Sequence, residues 1–330
     1  MLLAGLFVVV GCGGASKDTA PGGTSSSMPY TTPTTPSTST TPTASDTDGE
    51  VFDCAEVPPG PPSLTVLEAV AGRGLAFDDD GDLIGVSEPH LFRSAYGAAG
   101  EVWVPGLGEL DQIDRLDDGD FALANYGDGS LMRVGANGAT SVITTDVFAY
   151  GVRTGPDGLV YTANGNVIHR IDPVAGTRDV WLDPDFRPRV VDFSPDLDRL
   201  YVGTQESSGQ VWVVPLDGDL MPAGEPTLLA EGVGGWHDGL GVDACGLIYL
   251  TDYDTLTLYT IDPNTGAVEP FLVATAADRM YGHGLVWGSG VGGWRTDALY
   301  LPQPMNGDRV AEAVIGVPYR TYPGEVLNPY

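Results

Sequence analysis

The chain has 330 residues, with 15 Lys plus Arg against 45 Asp plus Glu and a formal net charge of −30 at pH 7. A surface that binds nucleic acid needs a basic patch, so this charge balance argues against a nucleic-acid partner. The only lysine is Lys17, near the N-terminus, so a folded domain further along has no lysine nucleophile. The length suits one large domain or two small ones.

Residues 1–12 are predicted to be a lipoprotein signal peptide. Residues 1–14 form an apolar run that is too short to span a bilayer, and the run contains Val9-Val-Gly-Cys12. These four residues resemble the bacterial lipobox, where cleavage leaves a lipidated N-terminal cysteine; an ordinary signal peptide with a chance cysteine is the alternative. We expect an exported chain that is lipidated on Cys12. Gly13, the residue after the cysteine, is not an inner-membrane retention signal, so we expect the anchor in the outer membrane, on its periplasmic or cell-surface side.

Residues 13–53 are rich in Ser, Thr and Pro, as in the stretch from Thr31 to Pro42. Such a segment cannot bury enough apolar surface to offset the entropy lost on ordering. We therefore predict a disordered tether that holds a domain at residues 54–330 away from the membrane.

After Cys12, the chain contains only Cys54 and Cys245. An even pair in an exported chain permits a disulfide, and we expect one that joins the start of the domain to the repeat around Cys245. Two buried free thiols are the alternative.

Six related segments follow, in which a short turn, Asp/Gly in most of them, separates two apolar strands, and the sixth rejoins the pattern only at residues 298–301. The turn glycines Gly81, Gly119 and Gly158 are 38 and 39 residues apart (81 to 119, 119 to 158), and the step from Gly158 to Gly246 spans two repeats. This spacing is typical of four-stranded propeller blades, and no long stretch has helical periodicity. We predict an all-β fold, a six-bladed β-propeller. The strand-like segment 63–70 should supply the outer strand of the last blade and so close the ring.

The clearest copy of the repeat is residues 238–249, Asp-Gly-Leu-Gly-Val-Asp-Ala-Cys-Gly-Leu-Ile-Tyr. It resembles the six-bladed propellers of the senescence-marker-protein/gluconolactonase/luciferin-regenerating-enzyme family, and propellers of the NHL type resemble it nearly as well. The family resemblance implies a divalent cation, calcium, at the channel mouth, held by a Glu, an Asn and an Asp. Each of these ligands comes just before an inner strand. In that family the metal polarises a lactone carbonyl and a metal-bound water, with the Asp as the proposed base.

Only the Asp of that metal site is present, as Asp238, which would be the catalytic base of a hydrolase. The Glu position is Arg73, the metal-binding Asn position is Arg189, and the substrate Asn position is Ala149, beside Tyr150. Arginine is cationic at any working pH and has no lone pair for a metal. We therefore expect no cofactor; calcium enters only under the hydrolase alternative.

One inward position can be assigned to each blade, with Gln112 or Asp114 as an alternative in the second. The six are Arg73, Asp111, Tyr150, Arg189, Asp238 and His283. Each Arg has an Asp on the next blade, which predicts two ion pairs. Either these residues only satisfy one another along the channel, or they form a pocket for a small or anionic ligand with bidentate Arg donors. The neighbouring His237 is expected to be a packed loop histidine.

The pentapeptide Gly232–Trp236 recurs as Gly290–Trp294. Each Trp is either a stacking lid over a ligand or a side chain folded onto the propeller face, and we favour the second interpretation.

These features predict a monomeric, lipid-anchored propeller that acts as a non-catalytic ligand-binding or scaffold module at the cell envelope. A lactonase- or esterase-type hydrolase with altered metal ligation is the alternative, and a docking platform for a protein partner is a third hypothesis. The sequence has no Gly-x-Ser-x-Gly or His-Glu-x-x-His motif, so other hydrolase classes have little support.

Overall fold

A computed structural model of the chain describes residues 44–45, 51–57, 62–273 and 283–320. The signal peptide at 1–12 with Cys12, and most of the tether at 13–53, lie outside the described residues and stay predictions. In the described part of the tether, β1 (Ala44–Ser45) pairs with β2 (Val51–Phe52). A short 3-10 helix, Cys54–Glu56, follows. None of the described helices has the length and apolar character that crossing a membrane requires.

The remaining strands form six four-stranded antiparallel sheets, which confirms the six-bladed propeller. Blade 1 contains β4 (Leu75–Phe77), β5 (Leu83–Ser87), β6 (His90–Ser94) and β7 (Glu101–Val104); blade 2 contains β8 (Leu110–Arg115), β9 (Phe121–Asn125), β10 (Ser130–Val134) and β11 (Thr140–Thr144). Blade 3 contains β12 (Gly151–Thr154), β13 (Val160–Ala163), β14 (Ile168–Ile171) and β15 (Arg178–Leu182); blade 4 contains β16 (Pro188–Phe193), β17 (Arg199–Thr204), β18 (Val211–Pro215) and β19 (Thr227–Ala230). Blade 5 contains β20 (His237–Val242), β21 (Ile248–Asp252), β22 (Thr257–Ile261) and β23 (Val268–Val273); blade 6 contains β24 (Val286–Trp287), β25 (Ala298–Gln303), β26 (Arg309–Val314) and β3 (Ser63–Val70).

The Asp/Gly turns that revealed the repeat join the first and second strands of their blades. Gly81, Gly119, Gly158 and Gly246 have φ values of 82°, 87°, 71° and 84°. This left-handed region is open to glycine without the steric cost that other residues meet, which explains why glycine marks the period. The first strand of each blade is its inner strand. The inner strands all begin on one face of the ring, called the mouth face below, and end on the opposite face.

The ring closes as the sequence predicts, because the N-terminal strand β3 pairs with β26 as the outer strand of blade 6. A hydrophobic cluster joins this last blade to blade 1; its large members include Leu67, Phe77, Trp294 and Tyr300. Pairing and burial together protect what would otherwise be an open sheet edge.

The predicted disulfide between Cys54 and Cys245 is confirmed. Cys245 lies in the turn after β20, on the face opposite the mouth. The C-terminal end of the described chain docks on the same turn, where Tyr319 forms a β-bridge with Asp243. The indole N–H of Trp287 also donates to the carbonyl of Val317 at 3.0 Å. Both ends of the domain are thus fastened to blades 5 and 6 at this face.

Candidate functional site

β-Bulges at the mouth turn three of the predicted residues into the channel. Asp111, Arg189 and Asp238 each lie where the first strand of blades 2, 4 and 5 slips in register against the second. The slips lie between Leu110 and Ile113, between Pro188 and Val190, and between His237 and Gly239. A bulge leaves a residue outside the regular ladder and re-aims its side chain, which is why polar residues can occupy the start of buried strands.

Both predicted ion pairs are present. Arg73 Nη1 lies 3.7 Å from Asp111 Oδ2, and its Nη2 lies 3.3 Å from Glu88 Oε2. Arg189 Nε donates to Asp238 Oδ1, with the two side chains only 3% and 1% exposed. Asp111, rather than the alternatives in blade 2, therefore takes the ring position.

The guanidinium of Arg189 is fixed by contacts beyond its carboxylate partner. Its Nη1 donates to Gln205 Oε1 at 3.1 Å. Its central carbon lies 4.1 Å from the ring centroid of Tyr150 and 4.9 Å from that of Trp236. A cation held near two aromatic rings and paired with a buried carboxylate is part of the framework of the mouth.

The sixth ring residue, His283, lies beside the second oxygen of Asp238. His283 Nδ1 and Asp238 Oδ2 are 2.9 Å apart. Their relative orientation does not give a good hydrogen bond, and neither atom has a hydrogen-bond partner among the described residues. The amide Nε2 of Gln112 is likewise buried without a partner in that part of the chain. A Cβ added to Gly284 would lie 3.0 Å from the Oε1 of that amide, which places the Gln112 side chain beside the start of blade 6.

Burial at the mouth raises the pKa of one carboxyl group and of one phenol. Burial raises the pKa of Asp111 to about 6, with Arg189 opposing the rise and Asp238 adding to it. Burial also raises the pKa of Tyr150 to about 12, so that phenol stays neutral near pH 7.

His237, next to the ring, has a structural role, as expected for a packed loop histidine. Its Nδ1 accepts from the backbone N–H of Thr204 at 3.0 Å, and its Nε2 lies 2.6 Å from the carbonyl of Val233. These two partners fix the neutral tautomer with the proton on Nε2, and burial lowers the pKa of His237.

The two Gly-Val-Gly-Gly-Trp copies have different roles. Trp294 packs in the core at 1% exposure, so it is not a lid but is buried more deeply than the predicted position on the propeller face. Trp236 stays 40% exposed beside Arg189. Asp252 Oδ1 holds the first loop by accepting from the N–H groups of Gly235 and Trp236, at 2.8 and 2.7 Å. Gly234 is required there, because an added Cβ would lie 2.1 Å from Asp252 Cγ.

An aromatic rim surrounds the mouth, defined as Tyr126, Phe148, Tyr150, Trp236 and Tyr253. Sequence reasoning singled out Tyr150 and Trp236 but missed the other three residues and the rim that all five form. Neighbouring ring centroids are 6.3 Å apart for Phe148 and Tyr126, 4.8 Å for the stacked Tyr126 and Tyr150, and 6.4 Å for Trp236 and Tyr253. The Arg189 guanidinium bridges Tyr150 and Trp236. Register could have found these residues: Phe148 and Trp236 come two residues before a ring position, and Tyr126 and Tyr253 directly follow a second strand.

A second polar cluster, also missed, lies further down the channel. Asp114, Arg153 and Asp192 come three residues after ring positions on their inner strands, a spacing that could have identified them. Arg153 Nε lies 3.1 Å from Asp192 Oδ1 and its Nη1 3.8 Å from Asp114 Oδ1. Arg320, from the C-terminal end of the described chain, donates to Asp192 through both terminal guanidinium nitrogens, Nη1 and Nη2. Both side chains are fully buried. Charged groups that satisfy one another thus fill this part of the channel.

The residues at the mouth do not fit the divalent cation that the family resemblance implies. Asp238 is the one carboxylate at a ligand position, and Arg189 already takes one of its oxygens. Arg73 stands at the Glu position, so two guanidiniums would repel the ion and donate no lone pair. The described residues contain no group of three or more His, Cys, Asp or Glu side chains placed to hold a metal.

Comparison with known proteins shows the fold. No family model matches the chain, and no curated protein matches it. Among solved structures it is similar to a gluconolactonase from Xanthomonas campestris (TM-score 0.62, 13% identity, 79% of this chain and 96% of that chain). It is also similar to a calcium-binding protein, regucalcin, from Agrobacterium tumefaciens (0.59, 17%, 78% and 94%) and to an auxiliary nutrient-binding protein from Bacteroides thetaiotaomicron (0.60, 12%, 74% and 68%). The resemblance to gluconolactonase-like propellers is thereby confirmed at the level of the fold.

Proposed function

We propose that this chain is a cell-envelope lipoprotein whose propeller is a non-catalytic ligand-binding module, with the channel mouth as the binding site. The observation that carries the proposal is the buried Arg189–Asp238 pair. It uses the only carboxylate at a family ligand position to hold a cation that belongs to the protein itself.

The exposure of the rim supports binding at the mouth. Tyr126, Phe148 and Trp236 are 38%, 47% and 40% exposed, although each contacts another aromatic or cationic group. Contiguous exposed aromatic surface beside polar groups is typical of a recognition site, since leaving it in water has a free-energy cost.

Similar folds do not decide between binding and catalysis. The similar structures include a protein named as a gluconolactonase and one named as a nutrient-binding protein. A fold hosts many functions, so function depends on the residues of the site. Here the residues favour binding over catalysis, because the site has the Asp carboxylate of the family but lacks the other metal ligands.

Metal content and lactone turnover test the non-catalytic assignment. We expect the purified chain, equilibrated with calcium and then desalted, to retain no stoichiometric divalent ion. It should hydrolyse δ-gluconolactone no faster than its Asp238→Asn variant. The control is the Arg73→Glu/Arg189→Asn double variant, which restores the implied ligand types and should bind calcium better than the parent if it folds. A stoichiometric ion or lactone turnover that Asp238→Asn abolishes would establish the hydrolase alternative instead.

The envelope location rests on Cys12 and has its own test. Changing Cys12 to Ser should move the protein from the membrane fraction to the soluble fraction and abolish incorporation of labelled palmitate. The change replaces the thiol that would be acylated with a hydroxyl of similar size. Unaltered membrane fractionation of Cys12→Ser would contradict the anchor while leaving the binding proposal untouched.

A further inference from the structure

We propose that the ligand at the channel mouth is a neutral glycan chain, which lies across the aromatic rim and places one sugar unit over the polar ring. This inference rests on the proposed binding function and names the ligand class of the same site. Three features of the mouth carry it: the extent of the aromatic rim, the charge balance of the ring, and the unmet polar atoms beneath it.

The aromatic rim consists of several adjacent side chains rather than a single stacking residue. It runs from Phe148 through Tyr126 and Tyr150 to the Arg189 guanidinium and on to Trp236, with successive separations of 4.1–6.3 Å. Sugar rings present C–H faces that pack on aromatic rings, and their hydroxyl edges remain free for hydrogen bonds. The aromatic rim extends beyond one ring, and its most exposed members lie toward its ends. It therefore suits a chain of sugar units better than a single small molecule.

Charge balance argues against an anionic chain. Arg73 and Arg189 at the mouth are matched by three carboxylates, namely Glu88, Asp111 and Asp238. Arg187 lies near Tyr150, and the carboxylate of Glu206 accepts from its backbone N–H at 2.9 Å, so the mouth has no excess of positive charge. Arg189 is buried and Arg73 is paired with two carboxylates, so neither guanidinium has a free pair of N–H donors for a carboxylate or phosphate of a ligand. The chain as a whole carries −30, which further disfavours polyanions.

A cationic ligand is disfavoured for a different reason. The position between Tyr150 and Trp236, where an incoming cation would gain most from the aromatic faces, is already filled by the Arg189 guanidinium. A second cation there would meet like charge at close range.

The unmet polar atoms favour hydroxyl groups. The donor Gln112 Nε2 lacks a hydrogen-bond partner within the described ranges, and the acceptor Asp238 Oδ2 has only the contact with His283 Nδ1 at 2.9 Å; each is buried. An unsatisfied buried group costs about 1–3 kcal/mol. A hydroxyl both donates and accepts, so after a side-chain adjustment the hydroxyls of one sugar unit can satisfy both atoms, with Glu88 and Arg73 at the outer edge.

Titration calorimetry on the full chain tests this ligand class with a defined panel. The neutral probes are maltohexaose, cellohexaose and mannohexaose, with glucose, hexagalacturonate and the glucosamine hexamer as single-unit, anionic and cationic comparisons. We expect at least one neutral hexasaccharide to bind at least tenfold more tightly than glucose and than either charged hexamer. Trp236→Ala and Phe148→Ala should each weaken that binding by between twofold and about tenfold, the usual range for one aromatic contact.

Tyr96→Ala is the matched control, because Tyr96 is 37% exposed on the opposite face. It should leave hexasaccharide affinity unchanged, and thermal melting should show that all three variants are folded. Preference for a charged hexamer, or equal binding of glucose and hexasaccharide that ignores the rim variants, would overturn the glycan assignment while the mouth remained a binding site. No binding by any probe would overturn the glycan assignment, and the metal and lactone assays would still decide the proposed function separately.

Discussion

Replacing Cys54 and Cys245 with Ser is expected to lower the free energy of unfolding by roughly 4–5 kcal/mol. The bond joins residues 191 apart in sequence, so breaking it frees a long loop of the unfolded chain. Phe52 and Val57 pack in the hydrophobic cluster that contains Cys245, so that contact should loosen as well. The ring itself should still close, because β3 pairs with β26 without help from the bond.

Urea unfolding followed by circular dichroism measures this effect. The double variant should unfold at lower urea, with a larger dependence on urea because its unfolded state is more expanded. Wild-type protein in dithiothreitol is the matched control and should unfold with the double variant. Coincident midpoints for oxidised wild type and the double variant would mean that the bond adds nothing to stability.

The sequence predicted the fold because the features that specify a propeller are local and repeated. An Asp/Gly turn with positive φ at Gly81, Gly119, Gly158 and Gly246 recurs in four of the six blades, and short apolar strands flank it. Ring closure followed from the same logic, since a leftover strand at 63–70 and an incomplete last blade had to meet. The disulfide needed only counting, because two cysteines were available for one bond.

The six ring positions were accessible from the sequence for a related reason. Each lies at or just before the start of an inner strand, so aligning the repeats placed Arg73 next to Asp111 and Arg189 next to Asp238. The alignment could not choose among residues 111, 112 and 114 in blade 2, because the bulge that decides the matter depends on pairing with β9.

The contacts within the aromatic rim and within the lower polar cluster could not be predicted, because they connect distant parts of the chain. Tyr126 and Tyr150 stack across two blades, and nothing in either repeat indicates the partner. Arg320 comes from the C-terminal end of the described chain to meet Asp192 in blade 4, 128 residues away. The twin Gly-Gly-Trp loops give the same lesson: identical pentapeptides place Trp236 at the mouth and Trp294 in the core because they occupy different blade positions.

Arg189→Met is expected to destabilise the propeller by about 3–5 kcal/mol, because it leaves the Asp238 carboxylate buried without its cation. The side chains of the pair are only 3% and 1% exposed, so water cannot take over the role of the guanidinium. Arg73→Met is the matched control: its side chain is 33% exposed, and its pairs should contribute about 0–1 kcal/mol. Urea unfolding of both variants at pH 7.5 measures the difference, and equal losses would mean that Arg189 is no more important than a surface arginine.

The Arg189→Met/Asp238→Asn double variant separates the cost of the stranded charge from the loss of the arginine itself. Neutralising Asp238 removes the uncompensated charge, so the double variant should recover most of the stability that Arg189→Met loses. It should not recover the rim, because Tyr150 and Trp236 contact the guanidinium itself. A restored free energy of unfolding, together with hexasaccharide binding weaker than that of the Asp238→Asn single variant, would therefore show that Arg189 both neutralises Asp238 and holds the aromatic rim in place. Recovery of both properties would assign the arginine to charge balance alone.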